Sequence, residues 1–295
     1  MVRVGTASWT DKSLIDSGRF YPPSVKTPED RLRFYASQFS LVEVDSSYYA
    51  LPAPSVSQLW AERTPASFVF NVKAFRLFTG HQTPLAAFPK DIRDALGTVA
   101  KKNLYYHDFA PELRNELWQR FRAALAPLQA VGKLGAVQFQ FAPWLTARAR
   151  SFDHLQSCRR ALPDVLLAVE FRNQSWFTAD QYGATLDFER RQRFANVVVD
   201  EPQGFSNSIP AVWEVTNPAL CVVRLHGRNA RTWNAKGLPT ASDRFNYDYQ
   251  PAELSEFANH IRAMSSQAKE VHVVFNNNYE DQGQRNARAL MSLLD

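Results

Sequence analysis

Eight short apolar runs recur along the chain, and segments with helical periodicity separate nearly all of them. The predicted strands cover residues 2–6, 41–45, 68–73, 135–140, 166–172, 196–200, 220–226 and 271–277. The predicted helices include 28–38, 54–63, 111–128, 152–161, 179–190, 251–264 and 283–294. Strands that alternate with helices run parallel and are joined by crossovers, so eight units predict a (β/α)8 TIM barrel. A doubly wound open sheet is the alternative, but no GxGxxG follows the first strand.

Long loops are predicted after the third, sixth and seventh strands, at 74–109, 201–218 and 229–250. No low-complexity segment or sharp change of composition marks a linker, so we expect one domain over residues 1–295. Long loops in compact domains usually cover functional sites.

Polar or ionisable side chains stand at the ends of most of the predicted strands. In chain order they are Glu43 and Asp45, Lys73, Gln140, Glu170 and Arg172, Asp200, Arg224 and His226, and Asn276 with Asn277. In a TIM barrel these ends meet at the face that carries the active site. Burying such groups costs several kcal/mol each unless they pair or bind something, which favours a functional site. The alternative is a buried ion-pair network that serves only the fold.

The composition excludes some classes of protein but does not identify a function. Lys and Arg number 34 against 29 Asp and Glu, a net charge of +5 that permits an anionic ligand without requiring one. The two cysteines form neither a disulfide framework nor a CxxC metal motif. The chain shows no secretory signal and no run of about 18 apolar residues, so we expect a cytoplasmic protein without a membrane partner.

Aromatic residues follow several strand ends, and we assign Trp176 to the ligand-binding set on this ground. Trp9, Tyr48, Tyr49, Trp144 and Trp233 are similarly placed. Together they could stack a base or a sugar ring, although each alone could simply pack a loop against the barrel.

Metal binding has weak support in the sequence. Glu43, Glu170, Asp200 and His226 could form a ligand set, but no HxH or HExxH spacing accompanies them. We therefore predict no metal ligands, and the sequence identifies no cofactor.

The chain resembles the YecE-like family, a TIM-barrel family of unknown function also called DUF72. The resemblance rests on GTASW at 5–9, FYPP at 20–23, EVDSSYY at 43–49, FVFNVK at 68–73, QFQFAP at 138–143, VEFRNQSWF at 169–177, RLHGR at 224–228 and FNNN at 275–278. Asp45 stands where that family usually has Asn. The resemblance implies a barrel with a polar pocket at its mouth, and it implies no reaction.

Our first functional hypothesis is an enzyme or binding protein for a small anionic ligand, such as a phosphorylated sugar or a nucleotide. In it Lys73, Arg172, Arg224 and Arg228 hold the anion, Glu170 or Asp200 is the general base and His226 is the general acid. A nucleic-acid-binding or nuclease-like protein is the second hypothesis, and a non-catalytic ligand sensor is the third.

The most specific expectation places the anion near Arg224, His226 and Arg228, with Asn276 donating from the eighth strand. Loops after the last two strands often form a phosphate site in TIM barrels, and Gly227 would let the backbone approach. The alternative is that Arg224 only neutralises Glu170 or Asp200.

Overall fold

Eight parallel strands close into a barrel in the computed structural model, which describes residues 1–240 and 242–295. These strands are β1 (Val2–Ala7), β2 (Leu41–Val44), β3 (Val69–Lys73), β6 (Leu134–Gln140), β7 (Leu167–Glu170), β8 (Phe194–Asp200), β9 (Leu220–Leu225) and β10 (Glu270–Phe275). Their order around the barrel is β1-β10-β9-β8-β7-β6-β3-β2, and every neighbouring pair is parallel. The predicted TIM barrel is confirmed.

Helices cover the outside of the barrel. They are α1 (Lys12–Ser17), α2 (Pro28–Gln38), α3 (Ser46–Tyr49), α4 (Pro54–Glu62), α5 (Lys90–Leu96), α6 (Pro111–Ala130), α7 (Ala149–Ala161), α8 (Tyr182–Gln192), α9 (Pro251–Ser265) and α10 (Gln282–Leu294). In α6 the residues Leu117, Phe121, Leu125 and Leu128 recur at three or four positions and are all buried, as expected of a helix with one face on a sheet.

The strands themselves form the centre of the core. All seven residues of β8 and all six of β9 are buried, since both sheet faces are covered, one by helices and the other by the barrel interior. The charged residues that end these strands therefore enter a low-dielectric environment, where a side chain without a partner is costly.

The loop after β3 contains structure that the apolar pattern did not predict. Two-residue strands β4 (Thr83–Pro84) and β5 (Asn103–Leu104) pair antiparallel, with α5 between them. Strands of two residues carry no detectable alternation, so the apolar pattern predicts only a long loop here. Among the described residues, no helix has the length and apolar character needed to span a bilayer.

Candidate active site at the barrel mouth

The C-terminal ends of the strands form one connected cluster of charged and polar side chains. Arg224, at the end of β9, is fully buried and holds two carboxylates at once. Its Nε and Nη2 donate to Glu43 at 3.0 and 2.5 Å, and its Nη1 donates to Glu170 Oε2 at 2.5 Å. Both carboxylates are also fully buried, so the guanidinium is the counter-ion that allows them to remain there.

Arg172 connects Glu170 to a third carboxylate. Its Nη1 lies 2.9 Å from Glu170 Oε1 and 3.0 Å from Glu201 Oε2. Glu201 also accepts the backbone N–H of Ile209 at 2.8 Å, which anchors the loop after β8. The sequence did not indicate Glu201, because strand alternation places it on the opposite face from Asp200. The strand ends at Asp200, however, and the turn that follows brings Glu201 inward.

The three carboxylates differ in their affinity for protons. Burial raises the pKa of Glu43 despite the opposing effect of Arg224. Burial also acts to raise the pKa of Glu170, but Arg224, His226 and Arg172 outweigh it and hold that pKa well below its usual range. Burial raises the pKa of Glu201 to about 7, because Arg172 compensates only partly. Glu201 therefore exchanges a proton near neutral pH, while Glu170 stays ionised.

His226 lies inside this cluster but does not fit the predicted role of general acid. Asn276 Nδ2 lies 2.7 Å from His226 Nδ1, and His226 Nε2 lies 3.3 Å from Glu170 Oε1 and from Nη1 of both Arg172 and Arg224. Burial and the neighbouring arginines lower the pKa of His226 to about 3 against the opposing effect of Glu170. The imidazole is therefore neutral at pH 7, without the extra proton that a general acid would donate.

Asp200 and Arg228 belong to a second network. Arg228 donates to Asp200 Oδ1 from Nε at 2.9 Å and from Nη2 at 2.7 Å, and its Nη1 donates to Glu253 at 2.8 Å. Tyr249 donates its hydroxyl to Asp200 Oδ2 at 2.6 Å. The anion expected near Arg224, His226 and Arg228 would therefore compete with carboxylates that already occupy both guanidinium groups, and Asp200 is similarly engaged.

Lys73 and Asp45 are less deeply buried than the Arg224–Glu43 pair. Lys73 Nζ lies 3.2 Å from Asp45 and 5.1 Å from the centre of the Tyr48 ring, and the guanidinium of Arg76 lies 5.1 Å from the same ring centre. Burial by itself lowers the pKa of Lys73, but Asp45 and the other carboxylates outweigh it and raise that pKa. Lys73 is therefore a cation at neutral pH.

His81 adjoins these cations. Thr79 donates its hydroxyl to Arg76 O, so the 2.8 Å contact between Thr79 Oγ1 and His81 Nδ1 requires a proton on Nδ1. Burial, followed by Lys73, Arg76 and Arg172, lowers the pKa of His81 to about 3. The imidazole is neutral, and its Nε2 is available as an acceptor.

The loop after β9 covers part of the mouth; residue 241 of this loop lies outside the described residues. Trp233 stacks over Arg172, with the guanidinium 4.9 Å from its ring centre, and Phe245 lies 6.1 Å from His226. Trp233 is buried, yet its indole Nε1 has no partner among the described residues. Arg76 Nε and Gln138 Oε1 are likewise buried and unpartnered within that part of the chain.

Two further residues that the sequence predicts to bind the ligand, Gln140 and Trp176, are buried to different degrees. Gln140 is half-buried at the end of β6 and accepts from Arg224 Nη1 at 3.4 Å. Trp176 is fully buried, stacks on Phe171 with ring centres 3.9 Å apart and donates to Leu145 O at 2.7 Å. It packs the loop after β7 against the barrel and does not reach the mouth, so we remove it from the ligand-binding set.

No group of three or more His, Cys, Asp or Glu side chains is arranged to hold a metal ion within the described ranges.

Comparison with known proteins places the sequence among relatives of the same length. Residues 3–295 match the family described as "Protein of unknown function DUF72". The UPF0759 protein YunF of Bacillus subtilis is 31% identical over 297 residues, covering 100% of this chain and 95% of that protein. A crystal structure of a DUF72 family protein from Enterococcus faecalis has a TM-score of 0.80 and 28% identity, covering 100% of this chain and 95% of that one. A Thermotoga maritima member has a TM-score of 0.78 and 27% identity, covering 100% and 99%.

Proposed function

Because this chain belongs to the DUF72 family, whose description assigns no reaction, we propose from the site that the barrel mouth binds and transforms a small anionic compound. The observation that carries the proposal is a pair of buried hydrogen-bond donors that have no acceptor in the part of the chain that the structure describes, one beside Tyr48 and the other over Arg172. Arg76 Nε and Trp233 Nε1 are buried and unpartnered among the described residues. Natural proteins rarely leave such groups unused, so they call for a ligand that accepts.

Lys73 and Arg172 add charge to these donors. Among the described residues, Asp45 is the one carboxylate within ion-pair distance of Lys73. In the same part of the chain, Arg172 contacts its carboxylates through Nη1 alone. Its Nε and Nη2 remain to donate to two oxygens of an oxyanion such as a phosphate or a carboxylate. The anion position is thus Lys73, Arg76 and Arg172, rather than Arg224, His226 and Arg228.

Glu201 supplies the proton chemistry in this proposal. Its pKa of about 7 suits acid/base work near neutral pH, whereas the two arginines make Glu170 a weak base. We accordingly transfer the acid/base role from Glu170, Asp200 and His226 to Glu201. The Glu201 side chain is fully buried, so a substrate reaches it only when the loop after β9 opens and then closes over it.

Isothermal titration with inorganic phosphate, ribose 5-phosphate and glucose 6-phosphate tests the binding step. We expect Lys73→Met to weaken binding at least tenfold, and Lys26→Met, which removes an exposed lysine outside the mouth, to have no effect. An anion on Arg172 should raise the pKa of Glu201. Since the phosphate probes also titrate near pH 7, the natural chain should take up more protons on binding than Glu201→Gln, in which only the phosphate titrates. Repeating the titration in two buffers of different ionisation enthalpy measures that uptake.

Glu201→Gln is the decisive variant. It should retain anion binding, lose the part of the proton uptake that Glu201 contributes, and abolish turnover of whichever compound in a phosphosugar and nucleotide screen is converted. Absence of saturable binding by all these anions, or binding that Lys73→Met leaves unchanged, contradicts the proposal. Binding and proton uptake without any conversion would retain the binding step and favour the ligand sensor over the enzyme.

A further inference from the structure

A cleft of about 750 Å³ lies beside the mouth, bordered by the loops that follow β3 and β6. Gly80 and Trp144 line it, and Trp144 donates through Nε1 to Gly80 O at 3.1 Å. The Trp144 ring also lies 5.7 Å from the ring of His81, so this residue separates the cleft from the mouth. The volume falls within the range of small-ligand pockets, roughly 300–1,000 Å³.

The lining of this Trp144 cleft is cationic. Lys101, Arg148 and Arg150 contribute to it, and no carboxylate is found among the described residues that line it. Lys101 is paired with Asp108 at 2.5 Å, but neither arginine has an ion pair in the described part of the chain. Arg148 Nε donates to Thr146 Oγ1 at 2.8 Å, a neutral acceptor. Two exposed arginines near one another without counter-ions create a positive potential that favours an anion.

Flat aromatic faces line the same space. His107 stacks on Tyr105 with ring centres 5.7 Å apart and planes 8° from parallel, and 79% of the His107 side chain is exposed. Trp144 is 51% exposed although it is among the largest apolar side chains. Exposed aromatic rings beside cations are the combination that recognises a base attached to a phosphate.

We infer that the Trp144 cleft is a second ligand site, separate from the chemistry of the mouth, and that it takes a nucleotide. Arg148 and Arg150 bind the phosphate, and the base stacks on Trp144 or on the Tyr105–His107 pair. The nucleotide could be free or part of a single strand, since the chemistry of recognition is shared. The inference does not rest on turnover at the mouth.

Titration with AMP, ribose 5-phosphate and adenosine tests this assignment, carried out in the Lys73→Met variant so that the mouth does not contribute. The double variant Arg148→Glu and Arg150→Glu should weaken AMP and ribose 5-phosphate at least tenfold. Trp144→Ala, combined with Tyr105→Ala, should weaken AMP and adenosine but leave ribose 5-phosphate unchanged. The matched control is Lys26→Glu with Arg191→Glu, which makes the same change of charge at exposed positions outside the cleft.

Comparing the affinities for AMP and for a single-stranded pentanucleotide shows whether the cleft takes a free nucleotide or a nucleic-acid strand. Equal affinities assign a free nucleotide, and an affinity for the strand that is a hundredfold higher and lost in the same variants assigns a nucleic-acid strand. No binding of either, or binding that the Arg148 and Arg150 variant leaves intact, overturns the inference. The titrations that test the mouth are repeated in the Arg148→Glu and Arg150→Glu background, where the cleft does not contribute, so failure at one site is distinguishable from failure at the other.

Discussion

Arg224 and Glu43 form a two-point ion pair between strands three places apart around the barrel, with N–O distances of 3.0 and 2.5 Å. The residues are 181 positions apart in sequence and both are fully buried. Because both groups are shielded from water in the folded protein, each charge needs the other as its partner, and the pair has to form as the barrel closes. It therefore determines the geometry of the mouth before any ligand enters.

The first prediction concerns this pair. Arg224→Met should destabilise the protein by about 3–5 kcal/mol, because it leaves buried Glu43 and Glu170 without their shared counter-ion. Urea unfolding measures the change. Arg191→Met, at an exposed position, should alter stability by less than about 0.5 kcal/mol. A loss below about 1 kcal/mol in Arg224→Met would show that the carboxylates are protonated or solvated without it.

The second prediction is a pH dependence that originates at Glu201. Its pKa is raised from 4.5 to about 7 on folding, so the folded state holds the proton more tightly. That stabilisation is fully present below pH 4.5 and is lost as pH rises through about 7. The free energy of unfolding should therefore fall less between pH 5 and pH 8 in Glu201→Gln than in the natural chain, by at most about 3 kcal/mol, as measured by urea unfolding.

Glu256→Gln provides the control for this measurement, because Glu256 is exposed on α9. Its unfolding free energy should follow that of the natural chain at both pH values. Parallel pH curves for Glu201→Gln and the natural chain would mean that Glu201 is ionised throughout this range.

The third prediction concerns the hydrogen bonds that hold Asp200. The Tyr249 hydroxyl donates to Asp200 at 2.6 Å and accepts the N–H of Gly227 at 2.8 Å. Tyr249→Phe should cost about 1.5–3 kcal/mol in thermal or urea unfolding, since a buried charge-assisted hydrogen bond is lost. Tyr182→Phe, at a partly exposed tyrosine, should be close to neutral. If Tyr249→Phe is also neutral, Asp200 does not depend on this network.

The fourth prediction concerns Gly227. Its φ is +83°, and an added Cβ would lie 2.6 Å from Tyr247 Cβ, so the close approach is to Tyr247 of the covering loop. Gly227→Ala should destabilise by about 1–3 kcal/mol through backbone strain and overpacking. Gly183→Ala, in the first turn of α8 with open space around it, should instead stabilise by up to about 0.5 kcal/mol. Differential scanning calorimetry of both variants checks the opposite signs, and a stable Gly227→Ala contradicts the first.

The barrel and the composition of its mouth could be predicted from the sequence alone, because both follow from local patterns. Apolar runs separated by helical periodicity require parallel strands, and a parallel barrel brings every strand end to one face. That rule alone predicted that Glu43, Glu170 and Arg224 would lie together, as they do.

Only the tertiary structure decided which of these side chains remain available to bind a ligand. Arg228 could have met a ligand, but the fold supplies Asp200 and Glu253 as its partners. Trp176 and Trp233 are both buried, but Trp176 packs on Phe171 away from the mouth, whereas Trp233 lies over Arg172. Glu201 turns inward only because the strand stops one residue earlier. Partner choice, burial and the pKa values that depend on them arise from contacts between distant segments, which periodicity and spacing do not encode.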